Sequence, residues 1–223
     1  MLRRVVVTTG ALACLGLFTV SAGAQQARNA DRWEPAMKAF EDEARKNPPA
    51  EGQIVFYGSS TIRMWDLAAS FPDLKTINRG FGGAEMSDLP RYVGRVVNPV
   101  KPRIVVISCG GNDIEGDATP EGIAANFQRL VEAVRKDLPD TRIVVFGVKP
   151  YPAIASKIEQ VKKTNVLMRA FAERSRNIVF IDVEKIVLGK DGKPRGDLFR
   201  EDGVHLTPEG YKLYTAVLRP HLN

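Results

Sequence analysis

Short apolar runs separated by longer amphipathic segments cover most of this 223-residue sequence. The clearest run, at 104–109, is apolar on both faces of a strand. Runs of this kind are typical of a parallel sheet that is covered on both sides. Four further runs rich in β-branched and aromatic residues predict the other strands, at 53–57, 74–78, 142–148 and 177–183.

The segments between these runs show helical periodicity, with apolar side chains recurring at the spacing of one helix face. A threonine followed by proline marks the start of the last helix. The predicted helices are 29–46, 86–97, 120–138, 156–174 and 207–218, with a shorter one after residue 60. Strands that alternate with helices predict a doubly wound α/β domain of three layers, α/β/α, around a five-stranded parallel sheet.

The first 24 residues have the form of a secretion signal. Two arginines precede an uncharged apolar stretch, and Ala22-Gly23-Ala24 matches the small-x-small pattern of a cleavage site. We therefore expect a signal peptide at 1–24 and a mature chain, 25–223, that folds as a single domain. The apolar stretch is shorter than the ~20 residues of a membrane span, which disfavours an anchor. It also continues beyond Cys14, which disfavours lipidation.

The composition disfavours several classes of function. The net charge is +6, and the basic residues form no cluster with interleaved aromatic side chains, so nucleic acid is not an expected partner. Beyond the predicted signal the sequence has one cysteine, Cys109, and two scattered histidines, which supply no metal-ligand spacing. Cys109 ends an apolar run and is expected to be a small buried hydrophobe, with a cysteine nucleophile as the alternative.

Small polar motifs follow the predicted strands. The first three strands are followed in turn by Gly58-Ser59-Ser60-Thr61, by 78–83 and by Gly110-Gly111-Asn112-Asp113, and Asp202-Gly203-Val204-His205 precedes the last helix. The carboxyl ends of parallel strands share one edge of a sheet, which is where ligands bind in such folds. Taken singly, each motif also fits a helix cap or a turn, since serine is a preferred N-cap residue.

Ser60 and His205 carry the candidate chemistry. A serine hydroxyl is a poor nucleophile at neutral pH and needs an adjacent base, for which imidazole is best matched. His221 lies at the extreme C-terminus, where fraying is usual, so His205 is the better candidate. Asp202, three residues before it, can hold one ring nitrogen while the other faces the serine.

The four motifs, in this order, resemble those of the SGNH, or GDSL-like, hydrolase superfamily. The resemblance implies a flavodoxin-like fold and a serine esterase or acylhydrolase that needs no metal or organic cofactor. It implies that Ser60 is the nucleophile, His205 the general base and Asp202 the carboxylate that orients it. Ser59 stands where the commoner Gly-Asp-Ser pattern has aspartate, which alters the hydrogen bonding beside the nucleophile and leaves open whether Ser59 could substitute for Ser60.

The resemblance also implies an oxyanion hole. Its donors would be the backbone N–H groups of Ser60 and Gly83 and the side-chain amide of Asn112. In two-step acyl transfer these donors would stabilise the tetrahedral oxyanion, and water would then release the acid. Loops at the same sheet edge should line the substrate pocket, and we predict Phe81 and Tyr151 as wall residues.

The leading hypothesis is an exported serine esterase, periplasmic or extracellular, without stable membrane insertion once the signal is cleaved. The sequence has no inserted apolar lid, which favours short acyl or acetyl esters over an interfacial lipase. Two alternatives remain open. One is a binding protein without catalytic activity that holds an acylated glycan or lipid in the same cleft. The other is an enzyme acting on a sulfate or phosphate ester, which would normally need a metal or an arginine cluster.

Overall fold

The computed structural model describes residues 32–223. The predicted secretion signal, residues 1–24, lies outside the described residues. Ala36–Asn223 form one compact unit, whose fold follows. The preceding unit ends at Pro35, and in its described part the guanidinium of Arg32 lies 4.2 Å from the centre of the Trp33 ring.

The described part of the chain contains five strands and nine α-helices. The strands are β1 (Ile54–Gly58), β2 (Thr76–Gly80), β3 (Ile104–Ser108), β4 (Arg142–Phe146) and β5 (Ile178–Ile181). The helices are α1 (Glu34–Lys46), α2 (Ser60–Arg63), α3 (Leu67–Ser70), α4 (Leu89–Val96), α5 (Gly111–Glu115), α6 (Pro120–Asp137), α7 (Ile158–Glu173), α8 (Glu184–Val187) and α9 (Pro208–Leu218). Short 3₁₀ segments lie at Asn98–Val100, Pro152–Lys157, Gly196–Leu198 and Arg219–His221.

The five strands pair in parallel in the order β2-β1-β3-β4-β5, with helices on both sides. This order is that of the flavodoxin-like doubly wound sheet, so the predicted fold class is confirmed. Gly58 at the end of β1 is opposite Gly80 on one side and Ser108 on the other. The three strands therefore end level, and the segments that follow them start at one edge of the sheet.

Adjacent residues of β1 show the two covered faces, because successive side chains of a strand point to opposite sides. On one face Phe56 packs against Trp65, with ring centres 5.5 Å apart, and Trp65 lies 5.5 Å from Tyr211 of α9. Phe146 of β4 stacks on Tyr214, also in α9, at 4.8 Å. Helix α9 and the segment after β1 therefore share an aromatic layer on this face.

The other face is covered by α4, α6 and α7. Tyr57 is buried there, and its hydroxyl donates to the carbonyl of Leu89 at the start of α4, 2.8 Å away. Helices α6 and α7 meet through the edge-to-face rings of Phe127 and Phe171, 5.7 Å apart. A sheet covered on both faces explains why β1 and β3 are buried at every residue.

Some boundaries differ from those predicted. Strand β2, expected at 74–78, is displaced toward the C-terminus by two residues, because its pairing begins with Thr76 opposite Ile54. The helix expected from residue 86 begins at Leu89. Helix α5, which contains Asn112, was not predicted, because five residues are too few to show a periodicity. None of the helices in residues 32–223 is long and apolar enough to cross a membrane.

Glycine is required where the central strands end. A Cβ added to Gly58 would lie 2.1 Å from the Ser108 carbonyl oxygen, and one added to Gly80 would lie 2.2 Å from the Arg63 backbone nitrogen. Both neighbours are backbone atoms, which cannot rotate away. The close contact between β1, β3 and α2 therefore depends on the absence of a side chain at Gly58.

We expect Gly58→Ala to lower the free energy of unfolding by about 1–3 kcal/mol, because the added methyl group collides with the backbone of the neighbouring strand. Gly94→Ala is the matched control, since a Cβ at Gly94 in α4 meets nothing within 4 Å. Alanine in a helix should there raise stability by up to ~1 kcal/mol. Urea unfolding of both variants measures the difference, and equal midpoints would contradict the packing argument.

Candidate active site

Ser60 lies at the turn between β1 and α2. The backbone N–H of Ser59 donates to the Ser108 carbonyl at 3.0 Å, which holds the turn against the end of β3. Ser60 is the first residue of α2 and is partly exposed. The first N–H groups of a helix have no partner within the helix, and that of Ser60 meets no acceptor elsewhere in the described residues. Its hydroxyl and its N–H are therefore both available to a ligand.

Asp202 and His205 form a hydrogen-bonded pair in the turn before α9. The Nδ1 atom of His205 lies 2.7 Å from Oδ2 of Asp202. The other oxygen, Oδ1, accepts the backbone N–H groups of Val204 at 2.8 Å and His205 at 2.9 Å. With the proton on Nδ1, the carboxylate fixes the ring so that Nε2 is the acceptor.

These hydrogen bonds also keep the Asp202 carboxyl group ionised. The pKa of Asp202 lies far below its usual range, because the carboxylate accepts the backbone N–H of His205, then its ring N–H, then the N–H of Val204. Asp202 is therefore ionised at any pH near neutrality. A permanent carboxylate beside the ring would stabilise the imidazolium that forms when His205 takes a proton.

A cleft at the carboxyl edge of the sheet brings several predicted residues together. It is open to solvent and has an empty volume of about 340 Å³. Its walls combine hydroxyl, amide, ammonium and backbone groups from the ends of β1, β3 and β4 and from the loop before α9. The lining residues are Ser59, Ser60, Thr61, Ser108, Cys109, Gly111, Asn112, Gly147, Lys149, Tyr151 and Val204.

His205 follows directly in sequence after a residue of the cleft wall. Val204 lines the cleft, but His205 is not among the lining residues, and no hydrogen bond joins it to Ser60 in the described part of the chain. In free enzymes the hydrogen bonds of catalysis are often long or poorly aligned, and they tighten when substrate binds. The structure thus places Ser60 and Asn112 in one cleft and the loop that contains His205 at its wall.

Asn112 connects the cleft to the loop after β2. Its side-chain Nδ2 donates one hydrogen bond to the carbonyl oxygen of Ala84, 2.8 Å away. An amide group has two N–H donors, and the second has no partner within residues 32–223. Gly83, directly before Ala84, has a φ of +77° and does not line the cleft. The Asn112 bond therefore fixes the position of the segment that contains Gly83.

Asp113 is a buried residue whose importance the sequence did not reveal. Both of its carboxylate oxygens accept the backbone N–H of Met86, at 3.0 and 2.9 Å. Burial raises the pKa of Asp113 to about 7, and the nearby charges of Glu85 and Asp88 act in the same direction. Asp113 thus provides a second attachment between α5 and the loop after β2, at the cost of burying a carboxyl group.

The two predicted wall residues have different surroundings. Tyr151 lines the cleft, and its hydroxyl donates to the carbonyl oxygen of Gly111 at 3.1 Å. Phe81 is only 1% exposed and packs in the core, with its ring centre 5.9 Å from those of Tyr57 and Tyr92. Its position gives it a packing role and places it outside the cleft lining.

Cys109 is buried at the cleft wall. Its Sγ atom lies 3.4 Å from the Ala84 carbonyl oxygen, and burial raises the pKa of the thiol. A thiol with a raised pKa is mostly protonated at neutral pH and is a weak nucleophile. The described residues contain no group of three or more His, Cys, Asp or Glu side chains that could hold a metal ion.

Fold and site together define a doubly wound α/β protein with a polar cleft where the central strands end. The sequence profile of the GDSL-like Lipase/Acylhydrolase family matches residues 52–213. The chain therefore belongs to this family of ester hydrolases, as the four motifs predicted.

This chain is similar in sequence or in fold to eukaryotic and bacterial proteins. The alpha2 subunit of platelet-activating factor acetylhydrolase IB from Homo sapiens is 26% identical over 200 residues, which cover 84% of this chain and 82% of the relative. A GDSL-like lipase from Bacteroides thetaiotaomicron superposes with a TM-score of 0.70 at 21% identity, covering 87% of this chain and 97% of its own. A carbohydrate esterase family 3 protein from Talaromyces cellulolyticus reaches 0.60 at 17% identity, with coverages of 77% and 96%.

The raised pKa of Asp113 predicts that the stability of the protein depends on pH. Its pKa is about 7 in the folded protein and about 3.9 in an unfolded chain, so between these values the folded state binds the extra proton. The free energy of unfolding should therefore fall as pH rises from about 4 to 7.

We expect Asp113→Asn to remove this decrease, because asparagine keeps an oxygen for the Met86 N–H but does not ionise. At pH 8 the variant should be more stable than the wild type by up to a few kcal/mol. Urea unfolding at pH 4, 6 and 8 measures the effect, with the exposed Asp140→Asn as the control. A variant whose stability falls as steeply as that of the wild type would show that Asp113 does not titrate in this range.

Proposed function

We propose that this ester hydrolase is an exported serine esterase that removes short acyl or acetyl groups through an acyl-enzyme on Ser60. The observation that carries the proposal is the Asp202–His205 pair in the loop that forms one wall of the cleft lined by Ser60 and Asn112. A nucleophile, a base with its orienting carboxylate, and a side-chain amide donor are the components that acyl transfer needs.

In the first step His205 takes the proton of the Ser60 hydroxyl as the Ser60 oxygen attacks the ester carbonyl. The hydroxyl has no hydrogen-bond partner among the described residues, so its rotation toward Nε2 breaks no existing bond. Asp202, ionised and bonded to Nδ1, stabilises the imidazolium that results. The imidazolium then protonates the leaving alcohol, and an acyl group remains on Ser60.

The tetrahedral intermediate has an oxyanion that needs donors. The N–H of Ser60, at the N-terminus of α2, and the second N–H of the Asn112 amide are the two candidates that line the cleft. We propose Gly83 as the third donor, by the resemblance to the family. In the second step His205 removes a proton from water, which attacks the acyl-enzyme. The imidazolium then returns this proton to the Ser60 oxygen as the bond between Ser60 and the acyl carbon breaks and the acid leaves.

The polarity of the cleft favours a short acyl group. Hydroxyl, amide and ammonium groups make up much of its lining, which leaves little apolar surface for a long acyl chain. The relative from Homo sapiens is named as an acetylhydrolase, which agrees with an acetyl or similar group. The predicted signal at residues 1–24 supports export to the periplasm or the exterior.

We expect the mature chain to hydrolyse p-nitrophenyl acetate and butyrate well and long-chain esters poorly. Ser60→Ala should abolish turnover and labelling by a serine-directed organophosphonate, because the nucleophilic oxygen is lost. Asn112→Ala should lower kcat about 100- to 1000-fold, the usual effect of removing one oxyanion donor.

Ser59→Ala separates the two adjacent serines, because it makes the same change one residue away. It should keep both turnover and labelling at Ser60. Full activity in Ser60→Ala would contradict the assignment of Ser60 as the nucleophile. A folded wild type without turnover or labelling would favour the alternative of a binding protein without catalytic activity.

Export can be tested separately from catalysis. The full-length chain, expressed in a bacterium, should be recovered outside the cytoplasm with Gln25 as its first residue, as read by intact mass. Ala24→Arg places a large charged side chain before the cut and should block processing. Recovery of the uncut wild-type chain from the cytoplasm would contradict the proposed export.

A further inference from the structure

Lys149 is a charged residue in the cleft wall that the proposed mechanism leaves without a role. It lies three residues after the end of β4 and is partly buried. Its ammonium group donates to the carbonyl oxygen of Val204 at 2.9 Å, and lies 4.4 Å from the centre of the Tyr151 ring and 5.9 Å from that of Phe199. Lysine near aromatic faces gains a cation–π attraction, which favours this single position.

The backbone before Lys149 is held by a buried side chain. Regular pairing of β4 with β5 ends when the Gly147 N–H donates to the Ile181 carbonyl. At the next residue, Asn165 of α7 replaces the strand partner: it accepts the Val148 N–H at 2.7 Å and donates to the Val148 carbonyl at 2.9 Å. Asn165 is 2% exposed, so these bonds are shielded from water.

The bond from Lys149 ends on the peptide group that joins Val204 to His205. The carbonyl oxygen of this peptide accepts from the lysine ammonium, and its N–H donates to Oδ1 of Asp202. Both bonds involve a charged group and are therefore stronger than neutral ones. The peptide is thus held from opposite sides by a cation and an anion, directly beside the His205 ring.

We propose that Lys149 is a positioning residue of this esterase, which fixes the Val204–His205 peptide so that the imidazole is held at the correct place for Ser60. The proposal rests on the proposed function of Ser60 and His205. Lys149 has no hydrogen bond to Ser60 within the described residues, so it acts through the loop that contains His205.

The charges around Lys149 allow a pH test. Burial lowers its pKa to about 8, while the carboxylates of Asp202, in the turn before α9, and Glu115, in α5, act in the opposite direction. The two aromatic rings beside it, Tyr151 and Phe199, are neutral in this range. Below about pH 8 the side chain of Lys149 is an ammonium group. Above about pH 8 it loses its positive charge, and its hydrogen bond to the Val204 carbonyl weakens.

Lys149→Met tests the proposal, because methionine keeps most of the apolar stem and removes the charge and the donors. With p-nitrophenyl acetate, we expect kcat to fall about 10- to 100-fold, the effect of a small misplacement of a catalytic group, with KM within about twofold. The rate of organophosphonate labelling at Ser60 should fall in parallel. Lys163→Met is the control, since Lys163 is an exposed lysine of α7 paired with Glu121.

The pH profile separates positioning from a general loss of structure. Wild-type kcat should decline above about pH 8, and this decline should be absent in Lys149→Met. If the methionine variant does not fold, Lys149→Arg keeps a charged donor and should move the decline to higher pH. The ring N–H proton of His205, observed by NMR and assigned with His205→Gln, should shift in Lys149→Met.

Three results would overturn the proposal. One is an unchanged kcat and an unshifted His205 proton in folded Lys149→Met. Another is a rise in KM alone, which would make Lys149 a substrate contact. The third is a wild-type decline above pH 8 that persists in the variant. Full activity in Ser60→Ala would instead remove the proposed function itself, so the two failures are distinguishable.

Discussion

The close contact of backbones at the carboxyl ends of the central strands is the constraint on which this site depends. Gly58 lies between Gly80 and Ser108 in the sheet, and a Cβ at Gly58 would collide with the Ser108 carbonyl. Because the three strands end level, the segments after them emerge side by side. Ser60 and Asn112 therefore meet in one cleft although 52 positions separate them in the sequence.

Buried polar groups then fix the loops in place of further strand pairing. The Ala84 carbonyl accepts from both Cys109 and Asn112, and the Asp113 carboxylate accepts the Met86 N–H. These bonds join the loop after β2 to the segment after β3. Burial of the Asp113 carboxyl group raises its pKa, so the ionised form is destabilised. In return, its hydrogen bonds to Met86 order the loop after β2.

Side-chain hydrogen bonds also hold the loop before α9, but here an anion and a cation both take part. Asp202 accepts the backbone N–H groups of Val204 and His205 and the N–H of the His205 ring. Lys149 donates to the Val204 carbonyl. One antiparallel bridge, between Phe199 and Leu206, closes the base of this turn. The charged side chains of Asp202 and Lys149 add hydrogen bonds at its tip, beside the imidazole.

The sequence by itself determined the fold class and the residues that carry the candidate chemistry. The continuous apolar run of β3 is readable because a strand covered on both faces must be apolar throughout. Ser60, Asn112, Asp202 and His205 are recognisable because each lies in a short motif of unusual composition. The position of β2 was two residues wrong, since the register with β1 depends on contacts between strands and not on local pattern.

Only the tertiary structure decided which side chains support the site. The sequence of a glycine-rich loop does not show whether its aromatic side chain faces a ligand or the core. In the folded protein Phe81 packs against Tyr57 and Tyr92 and therefore lies in the core. The sequence predicts that the loop containing Lys149 lines the pocket, but it does not show what the ammonium group contacts. Its partner, the Val204 carbonyl, is 55 positions away, and a backbone carbonyl has no signature in the sequence. Contacts between distant backbone and side-chain groups exist only once the chain has folded.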